Sequence, residues 1–131
     1  MYMLDTNICI YIIKNKPASV RAKFEQMQIG DVAMSMITFG ELEYGALRSQ
    51  NAIRQLQIID DLSRYIPVLA MQQEVAKTYA EIRADLTSKG TPIGNNDLWI
   101  AAHARTIGAT LVSNNTKEFV RVDGLKLENW V

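Results

Sequence analysis

Three acids of this chain occupy positions that suggest chemistry. Asp5 closes a short apolar stretch, Tyr2 to Leu4, and is followed by Thr6 and Asn7. Glu41 ends the run Thr38-Phe39-Gly40-Glu41, and Asp97 follows Gly94-Asn95-Asn96. A further polar edge, Ser113-Asn114-Asn115, has Glu118 just beyond it. Carboxylates gathered at one edge of a small sheet repel one another, and burying them unpaired is costly. No Lys or Arg lies close in sequence to Asp5, Glu41 or Asp97. A hard divalent cation would neutralise such a group: Mg²⁺, or Mn²⁺ as a substitute, takes oxygen ligands, often one or two carboxylates with waters and a substrate phosphate. Such an ion lowers the pKa of a bound water, orients it for in-line attack and stabilises the leaving oxygen, which is the chemistry of phosphodiester hydrolysis.

Each acid also has a purely structural reading, and singly that reading is the commoner one. Asp5 could cap the first helix, Glu41 could complete a capping box, and Asp97 could offset the positive end of its helix. It is the set of three that favours a metal site. Other chemistries lack their parts. With one histidine, His103, there is no His acid–base pair and no His-rich zinc site. No Walker-type loop is present. A phosphatase built on Asp5 would want an acid at position 7, where this chain has Asn7. The single cysteine, Cys9, lies in an apolar run and reads as a small buried hydrophobe.

The elements needed to position these residues can be read from periodicity and punctuation. Tyr2–Leu4 reads as a strand and residues 6–14 as a buried helix, with Thr6 or Asn7 available to cap it. Pro17 opens a second helix to about Gln28, Gly30-Asp31 turns, and residues 32–36 form a strand. The Thr38-x-x-Glu41 spacing starts a helix that runs to about Arg48. Residues 51–63 read as a helix with Ile53, Leu56, Ile59 and Leu62 on one side. Tyr65–Leu69 reads as a strand, placed at an edge by Pro67. Residues 71–89 carry the longest helical pattern, with Val75, Tyr79, Ile82 and Leu86 on its buried face. A helix apolar nearly all round spans 97–107 and closes at Gly108. Residues 110–112 read as a buried strand, 117–120 as a helical turn and 125–127 as a last strand. Helices alternating with short strands predict an α/β fold with a parallel sheet covered on both faces. Ligands in such sheets bind beyond the carboxyl ends of the strands, where Asp5 would stand.

The 131 residues fit one domain, and 48% of them are apolar, as in an ordinary globular protein. No apolar run reaches the ~18 residues of a membrane span, and the N-terminal stretch does not read as a signal peptide, so the expectation is a cytoplasmic protein. Fourteen basic residues balance fourteen acidic ones, so no global field draws the chain to nucleic acid. Lys14, Lys16, Arg21 and Lys23 nevertheless form a basic run with no acid among them. A solvated helix face is the plainer reading of that run, and a phosphate-binding patch the functional one.

Four stretches now occur in an order and spacing that resemble the PIN-domain ribonucleases, and among them the VapC toxins of bacterial type II toxin–antitoxin modules. They are Met3-Leu4-Asp5-Thr6-Asn7, residues 37–45 around Glu41, residues 94–104 around Asp97, and residues 111–119 from Leu111 to Phe119. The resemblance spans the whole chain, as a single PIN domain over 1–131. It implies a PIN-like fold, with a short, mainly parallel sheet flanked by helices. It also implies that Asp5 and Asp97 bind Mg²⁺, that Glu41 completes the acidic trio, and that Ser113 positions the site. Asn115 stands where many relatives have a fourth acid, and Glu118 is the carboxylate available to replace it. The implied partners are a cognate VapB-type antitoxin whose tail lies in a groove and reaches the acids, and a second copy of the chain in a homodimer. The helix carrying Glu41 and the long helix from Met71 are the candidates for that dimer face. The implied substrate is a structured RNA, a tRNA anticodon stem-loop or a ribosomal RNA loop, with the initiator tRNA anticodon stem-loop foremost. The basic run from Lys14 to Lys23, and Arg48, are the corresponding candidates for RNA contact. Two alternatives stand beside this: an RNA-processing nuclease of the same fold with no toxic role, and a decayed site that only binds RNA.

Overall fold

A computed structural model describes residues 1–131. Five short strands form one sheet: β1 (Tyr2–Leu4), β2 (Val32–Ser35), β3 (Val68–Leu69), β4 (Thr110–Val112) and β5 (Lys126–Glu128). Their order across the sheet is β3-β2-β1-β4-β5, and every pairing is parallel. The helices are α1 (Thr6–Lys14), α2 (Ala18–Glu25), α3 (Met36–Leu47), α4 (Ala52–Tyr65), α5 (Gln73–Ser88), α6 (Asn95–Ile107) and the single turn α7 (Thr116–Phe119). None is long and apolar enough to cross a membrane.

The sheet runs outward from β1 through β2 to β3, then jumps back past β1 to β4. Parallel crossovers are right-handed, so reversing direction moves the connecting helices to the opposite face. Alternation along the central strands shows the result. Met3 and Leu111 point into a core with Val75, Ile82 and Leu86 of α5 and Leu98 and Ile100 of α6. Their neighbours Leu4 and Val112 point into a second core with Ile8 and Ile12 of α1, Leu42 of α3 and Ile59 and Leu62 of α4. Each such side chain contributes on the order of 1.5–3 kcal/mol by leaving water. Cys9 is fully buried in the second core, where burial pushes its thiol pKa up and keeps it inert. The reversal falls between β1 and β4. Their carboxyl ends are tied by a 3.0 Å hydrogen bond from the Asp5 N–H to the Val112 carbonyl, and this is where ligands bind in such sheets.

The local punctuation differs from the sequence expectation at three places. Of the caps open to α1, the structural role of Asp5 holds, its carboxylate accepting from the Ile8 N–H at 3.0 Å, and Thr6 or Asn7 does not serve. α3 begins at Met36, two residues before the expected Thr38. Its cap is Ser35, which accepts from the Ile37 N–H, while Thr38 lies buried within the helix. On α4, Ile53 is 86% exposed and does not join Leu56, Ile59 and Leu62, because a strict three-residue spacing drifts off a 3.6-residue face. Elsewhere the ends shift by a residue or a few: α2 stops at Glu25, β3 is only Val68–Leu69, and β5 lies at 126–128. β3 does lie at the edge of the sheet, as Pro67 suggested.

Candidate catalytic site

Asp5 is 5% exposed and stands at the switch in sheet direction. Its carboxyl pKa is raised, first because burial disfavours the charge and then because Glu41 repels it; the Ser113 hydroxyl and the Ile8 N–H partly offset this. Thr6, one residue on, donates its hydroxyl to Glu41 Oε1 at 2.6 Å, which joins α1 to α3. Glu41 therefore spends its carboxylate across the site and not on a capping box. Asn7 is exposed and makes no side-chain hydrogen bond.

Asp97 lies in the first turn of α6, one of the four residues lining an open cleft of about 450 Å³ with Glu41. Its pKa is pushed up to about 6, first by burial, then by the charges of Glu118, Asp5 and Glu41 and by a hydrogen bond with Glu118. So α6 lies within electrostatic range of all three other acids. Asn115 binds two of the acids together: its amide nitrogen lies 2.6 Å from Glu118 Oε2 and 3.5 Å from Asp97 Oδ2. The Ser113 hydroxyl accepts from the Asn115 N–H at 2.9 Å, which ties this corner back to Asp5. Four carboxylates from four elements thus converge, and none takes part in any of the five ion pairs of the protein.

The donor set is all oxygen, which suits Mg²⁺ or Mn²⁺ and no softer metal. As the side chains stand, however, no three His, Cys, Asp or Glu side chains are arranged to hold one ion. The acids instead satisfy themselves with neutral donors: Asp5 with Ile8, Glu41 with Thr6, Asp97 with Asn115. A magnesium ion does not need three; one or two carboxylates with waters and phosphate suffice. Asp5 and Asp97, with Glu41 or Glu118 nearby, fit that requirement.

The basic candidates do not form one patch. Arg21 is paired with Glu25 one turn on along α2, and Lys23 lies 4.0 Å from Glu128 of β5, so one acid that answers this run follows it directly and the other comes from across the fold. Lys16 is exposed. Arg48 lies over the Tyr44 ring, 5.7 Å from its centroid, and donates to the Tyr44 hydroxyl. Lys14 alone borders the acids, in a groove it shares with Glu41 and the apolar side chains Ile10, Ile13, Leu42 and Ile59.

Two positioning residues escaped the sequence reading. His103 is fully buried on α6, with Nδ1 2.9 Å from Ser35 Oγ. Burial lowers its pKa, so it is neutral and structural. Through Ser35 it fixes the start of α3, which carries Glu41, against α6, which carries Asp97. A serine ending an apolar strand just before a helix was the available signal.

Comparison with known proteins places the chain in a family over nearly its whole length. Residues 2–125 match the PIN domain family. The chain is 48% identical over 129 residues to the tRNA(fMet)-specific endonuclease VapC of Shigella flexneri, covering 98% of this chain and 97% of that one. It is 45% identical over 130 residues to ribonuclease VapC2 of Haemophilus influenzae, covering 99% and 98%. Among solved structures, the DNA-bound VapBC of Salmonella typhimurium matches with a TM-score of 0.93 at 40% identity, over 99% of this chain and 98% of that one. With the family model and the relatives in agreement over nearly the whole chain, the chain belongs to the PIN-domain family and, within it, to the VapC ribonuclease toxins of VapBC toxin–antitoxin systems.

Proposed function

We propose that this toxin is a Mg²⁺-dependent endoribonuclease, with Mn²⁺ able to substitute, that hydrolyses a phosphodiester bond in a structured RNA and so inhibits translation. The observation that carries the proposal is the unneutralised convergence of Asp5, Glu41, Asp97 and Glu118, which adds to burial in pushing the Asp97 carboxyl up to about 6. Asp5 and Asp97 would hold the ion, with Glu41 completing the acidic set. When bound, the ion supplies Lewis-acid activation of water and neutralises charge on the phosphate. The chain's own residues set the geometry. The Ile8 N–H and Ser113 fix the Asp5 carboxylate, Thr6 aims Glu41, and Asn115 holds Glu118 beside Asp97. Glu118 thereby supplies the negative charge that Asn115 lacks.

An initiator tRNA anticodon stem-loop is the foremost substrate. The support is the tRNA(fMet) specificity carried in the names of the Shigella flexneri relative and of a 40% identical Salmonella typhimurium relative. A VapB-type antitoxin fits the groove of about 390 Å³ lined by Ile10, Ile13, Leu42 and Ile59, whose polar end holds Lys14 and Glu41. An apolar segment would fill its length and a basic side chain would meet Glu41. The solved VapBC complexes of related chains support such a partner. Met36, Tyr44 and Leu47 are exposed on α3 at positions 0, 8 and 11 of one helical stripe, which supports α3 as a homodimer face.

Cleavage of initiator tRNA in Mg²⁺, with analysis of the product ends, tests the reaction. Water attack leaves a 5′-phosphate and a 3′-hydroxyl. EDTA, or Asp5→Asn, should reduce cleavage by more than about a hundredfold and relieve growth arrest on expression. A 2′,3′-cyclic phosphate would overturn hydrolysis by water, and growth arrest that survives Asp5→Asn would favour a module acting by RNA binding alone. An RNA-processing enzyme without a toxic role would lack a short antitoxin gene beside its own.

A further inference from the structure

The acidic edge creates a difficulty for its substrate. An RNA strand is a polyanion, and four carboxylates surround the point where it must be cut. Cations beside that point are needed to hold the strand. Among the five main clefts of the protein, four carry a cation: Arg83 in two of them, Lys14 in a third and Arg105 in a fourth. Arg105 is already engaged, by Glu81 at 3.0 Å and the Asp123 carbonyl at 2.9 Å. Lys14 sits at the end of a largely apolar groove. Arg83 is different. One of its two clefts, of about 140 Å³, lies between α5 and the start of α6, where Arg83, Thr87 and Asn95 supply the polar part of a wall completed by Pro92 and the apolar Leu86, Ile93 and Leu98. Asn95 also walls the cleft of Glu41 and Asp97, so the two clefts adjoin.

We infer that this cleft is a second RNA-backbone subsite, in which Arg83, with Thr87 and Asn95, takes a phosphate next to the one attacked. Arg83 forms no ion pair with any carboxylate of the protein. Its one side-chain hydrogen bond, 2.7 Å to the Tyr79 hydroxyl, orients the guanidinium and leaves most of its five donors free. Tyr79 passes that order on: its hydroxyl donates to Asn95 Oδ1 at 2.6 Å, and its ring stacks on Trp99 at 3.8 Å and 9°. Trp99 belongs to α6, the helix whose first turn carries Asp97, so the stack ties Tyr79 to that helix. Arg121 adds positive charge on the other side of the same turn, donating to the Pro92 carbonyl at 3.2 Å. A planar guanidinium beside a hydroxyl and an amide is a phosphate receptor by chemistry.

The inference rests on the ribonuclease reading, so binding and cleavage are measured separately. The probe is a fluorescein-labelled RNA hairpin with a single-stranded loop, titrated in EDTA over a range of KCl with unaltered protein, Arg83→Ala and Arg83→Lys. Arg83 is exposed, so neither change should disturb folding, and an unchanged urea midpoint verifies this. Arg83→Ala should weaken binding roughly fivefold to tenfold and flatten the slope of log Kd against log salt by about 0.7 to 1. Arg83→Lys should keep the slope and recover part of the affinity. In Mg²⁺, KM should rise by a similar factor with kcat within about twofold. Unchanged Kd and slope for Arg83→Ala would overturn the subsite while leaving the nuclease intact, as would a change of oligomeric state at unaltered Kd. An Arg83-dependent slope in a protein that cleaves no RNA would keep the subsite and overturn the nuclease.

Discussion

Asp97 shows how a residue's surroundings set its charge. Its carboxyl is held at about 6 against an ordinary 3.8, so the fold favours the protonated form. Below about pH 4 the folded and unfolded chains are both protonated, and this contribution to stability is complete. Between pH 4 and 6 the unfolded chain ionises first, so stability falls as pH rises, and the loss is complete above pH 6. Buried His103 acts in the opposite sense, since its lowered pKa costs stability as pH falls below about 6.5. Comparison with a variant separates the two. In EDTA, Asp97→Asn should raise the urea-unfolding stability at pH 7.5 by about 1 kcal/mol, a figure discounted because Asp97 keeps access to solvent, and by little at pH 4. An equal gain at both pH values would mean that burial and the neighbouring acids do not raise the Asp97 carboxyl. Asp5 and Asp97 were legible because each stands at the start of a helix, whereas Glu41 was singled out by a capping-box spacing that the structure does not use and lies on the second turn of α3. The roles of Thr6 and Asn115 as donors between acids were not legible, since a donor across 18 or 35 residues leaves no periodic trace.

At the scale of elements, apolar period served well and caps did not. α1, α5, the interior α6 and β4 fall where periodicity placed them, within a residue or two. The Thr38–Glu41 spacing suggested a capping box, but spacing alone cannot say which of two nearby hydroxyls ends up in extended backbone. Ser35, with ψ at 151°, is the one that does. It also meets His103 in the core, so it serves two elements at once. Ser35→Ala should therefore cost about 2 kcal/mol in urea unfolding, the cap and the orphaned imidazole together, where Thr38→Ser should cost clearly less. The same change should lower RNA cleavage by loosening α3, and with it Glu41, relative to α6. A loss below about 0.5 kcal/mol would show that α3 does not depend on this cap.

At the scale of the whole molecule, what matters is the reversal of strand order between β1 and β4. Alternating helices and strands in the sequence made a parallel sheet legible. Nothing local revealed where its direction turns, because that depends on which strands pair across more than a hundred residues, as Tyr2 does with Thr110. The reversal puts Asp5 and Ser113 on adjacent strand ends and brings α3 and α6 over them from opposite faces. Scattered acids become one negative edge by topology, and the clefts of Lys14 and Arg83 flank it. The most direct test of that edge as a cation site is a Mn²⁺ titration followed by electron paramagnetic resonance, with Mg²⁺ as competitor. The unaltered protein should bind Mn²⁺ and release it to Mg²⁺, and Asp5→Asn and Asp97→Asn should each weaken binding by about tenfold or more. Manganese bound equally well by both variants would contradict a metal site formed by these acids.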